Sequence, residues 1–210
     1  MVNTILTRKE RERIRHKGEI LESARCLFSQ KGFDNVSMQQ IATESEFSVG
    51  TLYNFFESKE ALFEELINSI GEKVLSELLE ILDGPGGEKE RLSAFIKHQP
   101  KFQEKHGDVI KLYISEFGIQ GSKLSKVRDD SKIHEVLDSK LEEIIQAGIR
   151  KGLFRAVDPA ITAKSLVAIT ETLIFETTGR LDCDTVSEMF AKVEQLFIDG
   201  LLRPEGPNDA

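Results

Sequence analysis

The sequence has only two cysteines, Cys26 and Cys183, with no CxxC spacing and no framework of pairs. That argues against a disulfide-stapled fold, and two lone reduced thiols suit a cytoplasmic protein. Proline is also scarce, five residues in 210, beside 40% hydrophobic and 30% charged residues. Such a composition predicts a folded chain, with disorder confined to the two ends. No apolar run approaches the roughly 18 residues of a membrane span. The N-terminus carries charges with no apolar stretch behind them, so neither a membrane protein nor a secretory leader is expected. HExxH, GxSxG, P-loop and dinucleotide fingerprints are missing, and no Cys or His stands beside a plausible catalytic partner. No catalytic residue, cofactor or metal is therefore predicted. Period-two alternation is missing too, which removes the signal for strands.

What is present is helical periodicity. In "RIRHKGEILESARCLFSQKGF", Ile14, Leu21, Ala24, Leu27 and Phe28 fall on one face, and Gly32–Phe33 suits a left-handed cap. Ser37 and Gln40 have capping-box spacing, with Val36 and Ile41 as the hydrophobic staple. Ser48 caps the next segment. The spacing predicts short helices over 38–45 and 49–55, joined by a turn of about three residues, which is helix-turn-helix geometry. A fourth helix follows Ser58 and runs as a connector to about residue 82. It stops at "DGPGG", Asp83 to Gly87, the clearest break in the sequence.

Beyond the break, Leu92, Phe95, Ile96, Gln99 and Phe102 share a face, and Pro100 is expected to kink or divide that helix. "DVIKLYISEFGI" reads as a further short helix. A long one follows, with Leu137, Leu141, Ile144, Ile145 and Gly148 as its buried stripe and Gly152–Leu153 at its end. Asp158–Pro159 opens the next, and Thr185 with Glu188 has capping-box spacing before the last. The expectation is an all-α fold of about nine helices, with a helix-turn-helix module over 1–62 and a larger helical module over 83–210.

Net charge is −8, yet residues 8–17, "RKERERIRHK", hold six basic residues against two acidic ones. Residues 1–62 balance at nine of each sign, so the whole excess of acid lies in 63–210. This asymmetry permits a nucleic-acid contact at the N-terminal end. Taken alone, such a basic run is more often a solvated helix face than a DNA arm.

The stretch "ILESARCLFSQKGFDNVSMQQIATESEFSVGTLYNFFESKEALFEELI" resembles the DNA-binding domain of the TetR family of bacterial transcription regulators. Ala24, Phe28, Gly32–Phe33, Ser37, Ile41–Ala42, Ser48, Gly50–Thr51–Leu52–Tyr53, Phe56, Ser58–Lys59 and Leu62 carry the resemblance at fixed spacing without a gap. It departs in the turn between the short helices, where the family usually has Ala-Gly and this chain has Ser45–Glu46. A left-handed backbone at Glu46 would cost about 1 kcal/mol.

The resemblance implies that the second short helix enters the major groove of double-stranded DNA, with its N-terminal residues toward base edges. By side-chain chemistry Val49 and Thr51 suit a thymine methyl and Asn54 suits adenine, while Ser48 is a further base-contact candidate and Gly50 would let backbone approach closely. Tyr53 and Lys59 are implied as phosphate contacts, joined by Ser37 and Gln39 at the preceding helix N-terminus. A single recognition helix grips few bases, so a homodimer on a palindromic operator is expected, half-sites about 34–36 Å apart.

The resemblance places the dimer interface on the last two helices, where Met189, Phe190, Val193, Leu196 and Phe197 form a wide apolar stripe; the same stripe also reads as intramolecular core. It further implies a small-molecule effector among the middle helices. Phe95, Phe102, Tyr113, Phe117 and Phe175, with the polar His98, Gln99, Glu116 and Glu171, are the candidates for a mostly apolar pocket, or else plain core. The expected function is an effector-responsive regulator, a repressor by family default. An architectural DNA-binding protein without a ligand is the alternative, and an enzyme a remote one.

Overall fold

The structure, a computed structural model, describes residues 6–117 and 130–202. Helix α1 spans Arg8–Lys31, opened by a Thr7–Glu10 capping box and closed at Gly32, whose φ is +79°. It starts earlier than the apolar periodicity suggests, so the basic run lies on helix. Its buried positions are Ile20, Leu21, Ala24, Leu27 and Phe28. Ile14, expected on that face, is 58% exposed, because the first turns of α1 run beyond the core.

Helices α2 (Met38–Glu44) and α3 (Val49–Tyr53) are the expected short pair. Ser37 Oγ accepts from the Gln40 N–H at 3.3 Å and the Gln40 side-chain Oε1 accepts from the Ser37 N–H at 2.8 Å, so the capping box forms in full. Val36 and Ile41, the staple, are both buried. Ser58 Oγ caps α4 (Lys59–Leu82) by accepting from the Ala61 N–H.

Helix α5 runs unbroken over Glu88–Phe117 with Pro100 inside it, which corrects the expected division into two helices. Proline removes the N–H that would bond the Ile96 carbonyl. Burial of Leu92, Phe95, Ile96, Val109, Ile110 and Leu112 on both sides of it outweighs that loss. Helices α6 (Asp130–Arg150), α7 (Pro159–Thr177) and α8 (Cys183–Leu201) complete eight helices among the described residues. Asp158 caps α7, with Pro159 in its first turn. Asp182, not Thr185, caps α8: its carboxylate accepts from the Thr185 N–H at 2.8 Å and the Thr185 hydroxyl at 2.9 Å, so the helix begins two residues before Thr185. Among the described residues there is no strand, only an isolated bridge between Phe154 and Leu202.

The fold is all-α, with two apolar clusters. One joins α1–α3 and the first half of α4, and also takes Val109 and Leu112 from the far end of α5. The other joins the end of α4 with α5–α8. Inside it, α6 lies close to the following turn because residue 148 is glycine: a Cβ there would stand 2.1 Å from the Phe154 ring.

Candidate nucleic-acid interface and effector cavity

Helix α3 is held from beneath by Leu52, which is fully buried, and by Phe56 just past its end. Its other face is open. Tyr53 is 53% exposed, Ser48, Gly50 and Asn54 are exposed, and Val49 and Thr51 are half-buried. Ser48 Oγ accepts from the Thr51 N–H at 3.0 Å and lies 2.8 Å from the Thr51 hydroxyl, so the two side chains are fixed relative to each other at the start of the helix. At Gly50 an added Cβ would meet only Ser48 Oγ, at 3.8 Å. Nothing within the chain requires glycine there, and the space above it is free.

The turn into α3 is a Schellman closure of α2. The Phe47 N–H bonds to the Ala42 carbonyl at 3.0 Å and the Glu46 N–H to the Thr43 carbonyl at 3.3 Å. Glu46 sits at the position that glycine usually fills, with φ +59°, the only non-glycine residue of positive φ among those described. Glu46→Gly removes a strain of about 1 kcal/mol and is expected to raise the melting temperature by about 2–4 °C. A calorimetric scan showing no rise would mean that the Glu46 side chain stabilises the turn by as much as its backbone costs.

Around α3, Ser37 and Gln39 are exposed at the start of α2. Lys59 is partly committed elsewhere: its ammonium donates to the Phe33 carbonyl at 2.9 Å and lies 4.2 Å from the Phe33 ring centre. Two of its N–H groups remain for a phosphate. Two of the six basic residues in the run pair with acidic residues of α1, and three more have partners elsewhere. Arg8 bonds Glu12, Arg15 bonds Glu19, and Arg11 donates to the Leu6 carbonyl. Lys17 reaches Glu65 on α4 at 2.6 Å, and Arg13 lies over the Phe55 ring.

Helices α4–α7 enclose a cavity of about 170 Å³. Of the sequence candidates, Phe95, Gln99, Phe102, Tyr113, Glu171 and Phe175 line it. Tyr113 and Phe175 stack with ring centres 5.6 Å apart. Gln99, 3% exposed, donates its amide to the Phe95 carbonyl. His98 does not reach the cavity: three residues on from Phe95 it is turned roughly 60° round the helix. Burial there holds its pKa below the ordinary imidazole value. The side chains of Glu116 and Phe117 lie outside the described residues.

His134, on α6, was not among the candidates. It lines the cavity with its Nε2 3.2 Å from Glu171 Oε2. Ile133 comes close beside it because α4 has Gly71 opposite, where a Cβ would stand 2.8 Å from Ile133 Cδ1. Two cavity residues, Ile67 and Val109, also belong to the N-terminal core. Near Val109, Arg25 of α1 pairs with Asp108 of α5 and with Glu22 at 2.6 Å, which raises the Arg25 pKa further above its already high value.

On α8, Phe190 (2% exposed) and Val193 (7%) are spent on the chain's own core, which takes them off the expected interface face. Leu196 points outward at 65% exposure, and Met189 and Phe197 are half-buried. Ile161, on α7, is 66% exposed.

Residues 20–66 match the family model described as bacterial regulatory proteins, tetR family. Residues 85–196 match a second, the tetracyclin repressor-like C-terminal domain. The chain belongs to the TetR family. Among its relatives, the HTH-type transcriptional regulator YhgD of Bacillus subtilis is 26% identical over 163 residues, covering 78% of this chain and 84% of its own. A TetR/AcrR-family regulator from Thermobifida fusca superposes with a TM-score of 0.71 at 24% identity, over 89% of this chain and 98% of that one. FadR from Bacillus subtilis, solved in complex with stearoyl-CoA, superposes with a TM-score of 0.69 at 16% identity, over 87% of this chain and 98% of that one. This TetR-family chain is thus a transcriptional regulator with a helix-turn-helix DNA-binding domain. Among the described residues no helix is long and apolar enough to cross a membrane.

Proposed function

We propose that this TetR-family regulator is a cytoplasmic homodimer that represses transcription from a palindromic operator and is released by a small, largely apolar effector. The observation that carries the reading is α3: five residues pinned by Leu52, with Tyr53 and Asn54 left in solvent. A helix so short and so open has little value to the core, and its chemistry matches base edges and phosphates. Ser48, Val49, Gly50, Thr51 and Asn54 face the bases in this reading, while Ser37, Gln39, Tyr53 and Lys59 meet the backbone. The exposed Leu196 and Ile161 support pairing of two copies through α7 and α8. The cavity shares Ile67 and Val109 with the N-terminal core, so an occupant that moves them alters the seat of the DNA-binding module.

The test is selection of duplex fragments on the purified protein at about 150 mM salt, where non-specific phosphate binding is weak. The expected result is a palindrome whose half-site centres lie about 34–36 Å apart or a multiple of that. Enrichment of a single asymmetric half-site would overturn the dimeric part of the reading. No enrichment even at low salt would overturn operator binding by the free protein.

A further inference from the structure

We propose that the cavity takes a compact hydrophobic amine, bound as its cation with the ammonium at Glu171 and the apolar part against the aromatic walls. This inference rests on the cavity being the effector site. Among the described residues that line it, Glu171 is the only one with a fixed charge, and that charge is negative. Among the described residues its carboxylate pairs with His134, 3.2 Å away through Nε2. With its Nε2 carrying the proton, His134 donates to Glu171 Oε2 and leaves the second carboxylate oxygen to receive a ligand N–H. Four aromatic side chains, Phe95, Phe102, Tyr113 and Phe175, supply the apolar wall for the rest of the ligand.

The placement gives the ligand a direction. The Glu171 and His134 side chains are 38% and 36% exposed, so the charged end of the cavity is its mouth. Phe95, 1% exposed, is the floor. An ammonium at the mouth keeps part of its hydration while its tail leaves water. A carboxylate in the same place would face Glu171, and like charges at one site are mutually unfavourable. Size narrows the class further. An engineered apolar cavity of about 150 Å³ takes up benzene, so a cavity of about 170 Å³ holds roughly one ring and a short tail. A long acyl chain exceeds that volume.

Three probes of one shape separate the outcomes: phenylbutylamine, phenylbutanol and phenylbutyrate, titrated calorimetrically into the full-length protein at about pH 8, where the amine is a cation and the acid an anion. The amine is expected to bind about tenfold tighter than the alcohol, and the alcohol tighter than the carboxylate. In Glu171→Gln the amine falls to within about threefold of the alcohol, while the alcohol's own affinity is unchanged, which shows that the cavity is intact. If the alcohol binds the wild type and the amine gains nothing over it, or the carboxylate binds best, the charge assignment is wrong and the effector cavity stands. If none of the three binds, the cavity reading falls and this inference with it.

Discussion

Replacing Tyr53 and Asn54 together by alanine is expected to lower affinity for the selected fragment by about 100-fold at about 150 mM salt, because one phosphate contact and one base contact are lost per protomer. The melting temperature should stay within about 1 °C of wild type, since both side chains project into solvent and surface changes of this kind cost little. The helix itself survives the change. Asn54 closes α3 through its backbone N–H, bonded to the Gly50 and Thr51 carbonyls, and alanine keeps that N–H. Leu52→Ala is the contrasting variant. It empties a fully buried site, costs about 2–5 kcal/mol, and loses DNA binding only by unfolding the module. Retained operator affinity in the double variant would mean that the outer face of α3 is not the reading surface.

Gly148→Ala is expected to be strongly destabilising for a single added methyl group. The added carbon would stand 2.1 Å and 2.3 Å from two atoms of the Phe154 ring, and that ring is fully buried. It has no easy retreat. The Leu153 and Phe154 N–H groups both bond to the Gly148 carbonyl, at 2.9 and 3.1 Å, and the Arg155 N–H bonds to Leu201 at 2.7 Å, so the segment is tied at both ends. Overpacking of this kind costs about 3 kcal/mol, a fall of about 6–12 °C in melting temperature for a chain of this size. Gly18→Ala provides the opposite sign. No atom lies within 4 Å of a Cβ at that exposed position in α1, and alanine is the better helix former by about 1 kcal/mol. If Gly148→Ala melts with the wild type, the α6 turn is not packed as described.

The features that were legible in the sequence are those set by neighbours in the chain. The Ser37–Gln40 box, the Val36–Ile41 staple, the Ser48 and Ser58 caps and the left-handed Glu46 all depend on residues within a few positions of each other. Features set by distant packing were not. Pro100 is a helix breaker in local terms, yet it lies within a helix whose apolar residues are buried on both sides of it. Asp182 and Thr185 are both capable caps, and only the docking of Val186 and Phe190 into the core decides where α8 begins. His134 and Glu171 meet across 37 positions of chain with no local signal. Lys59 reaches back 26 positions to the Phe33 carbonyl, a contact that its place in the Ser58–Lys59 pair does not announce. Phe190 and Val193 belong to the same apolar stripe as Leu196, and periodicity alone does not say which of them turn inward.

Val109 and Leu112 reach the N-terminal core from a helix that begins in the other core. A graft of residues 1–82 onto a foreign body would therefore carry a DNA-reading head with two gaps in its underside. Such a chimera folds as the native head does only when the recipient offers apolar side chains of matching size at those two places. In the proposed reading α3 keeps its seat only when the end of α5 goes with it, so exchange of heads between regulators has to trade both pieces together.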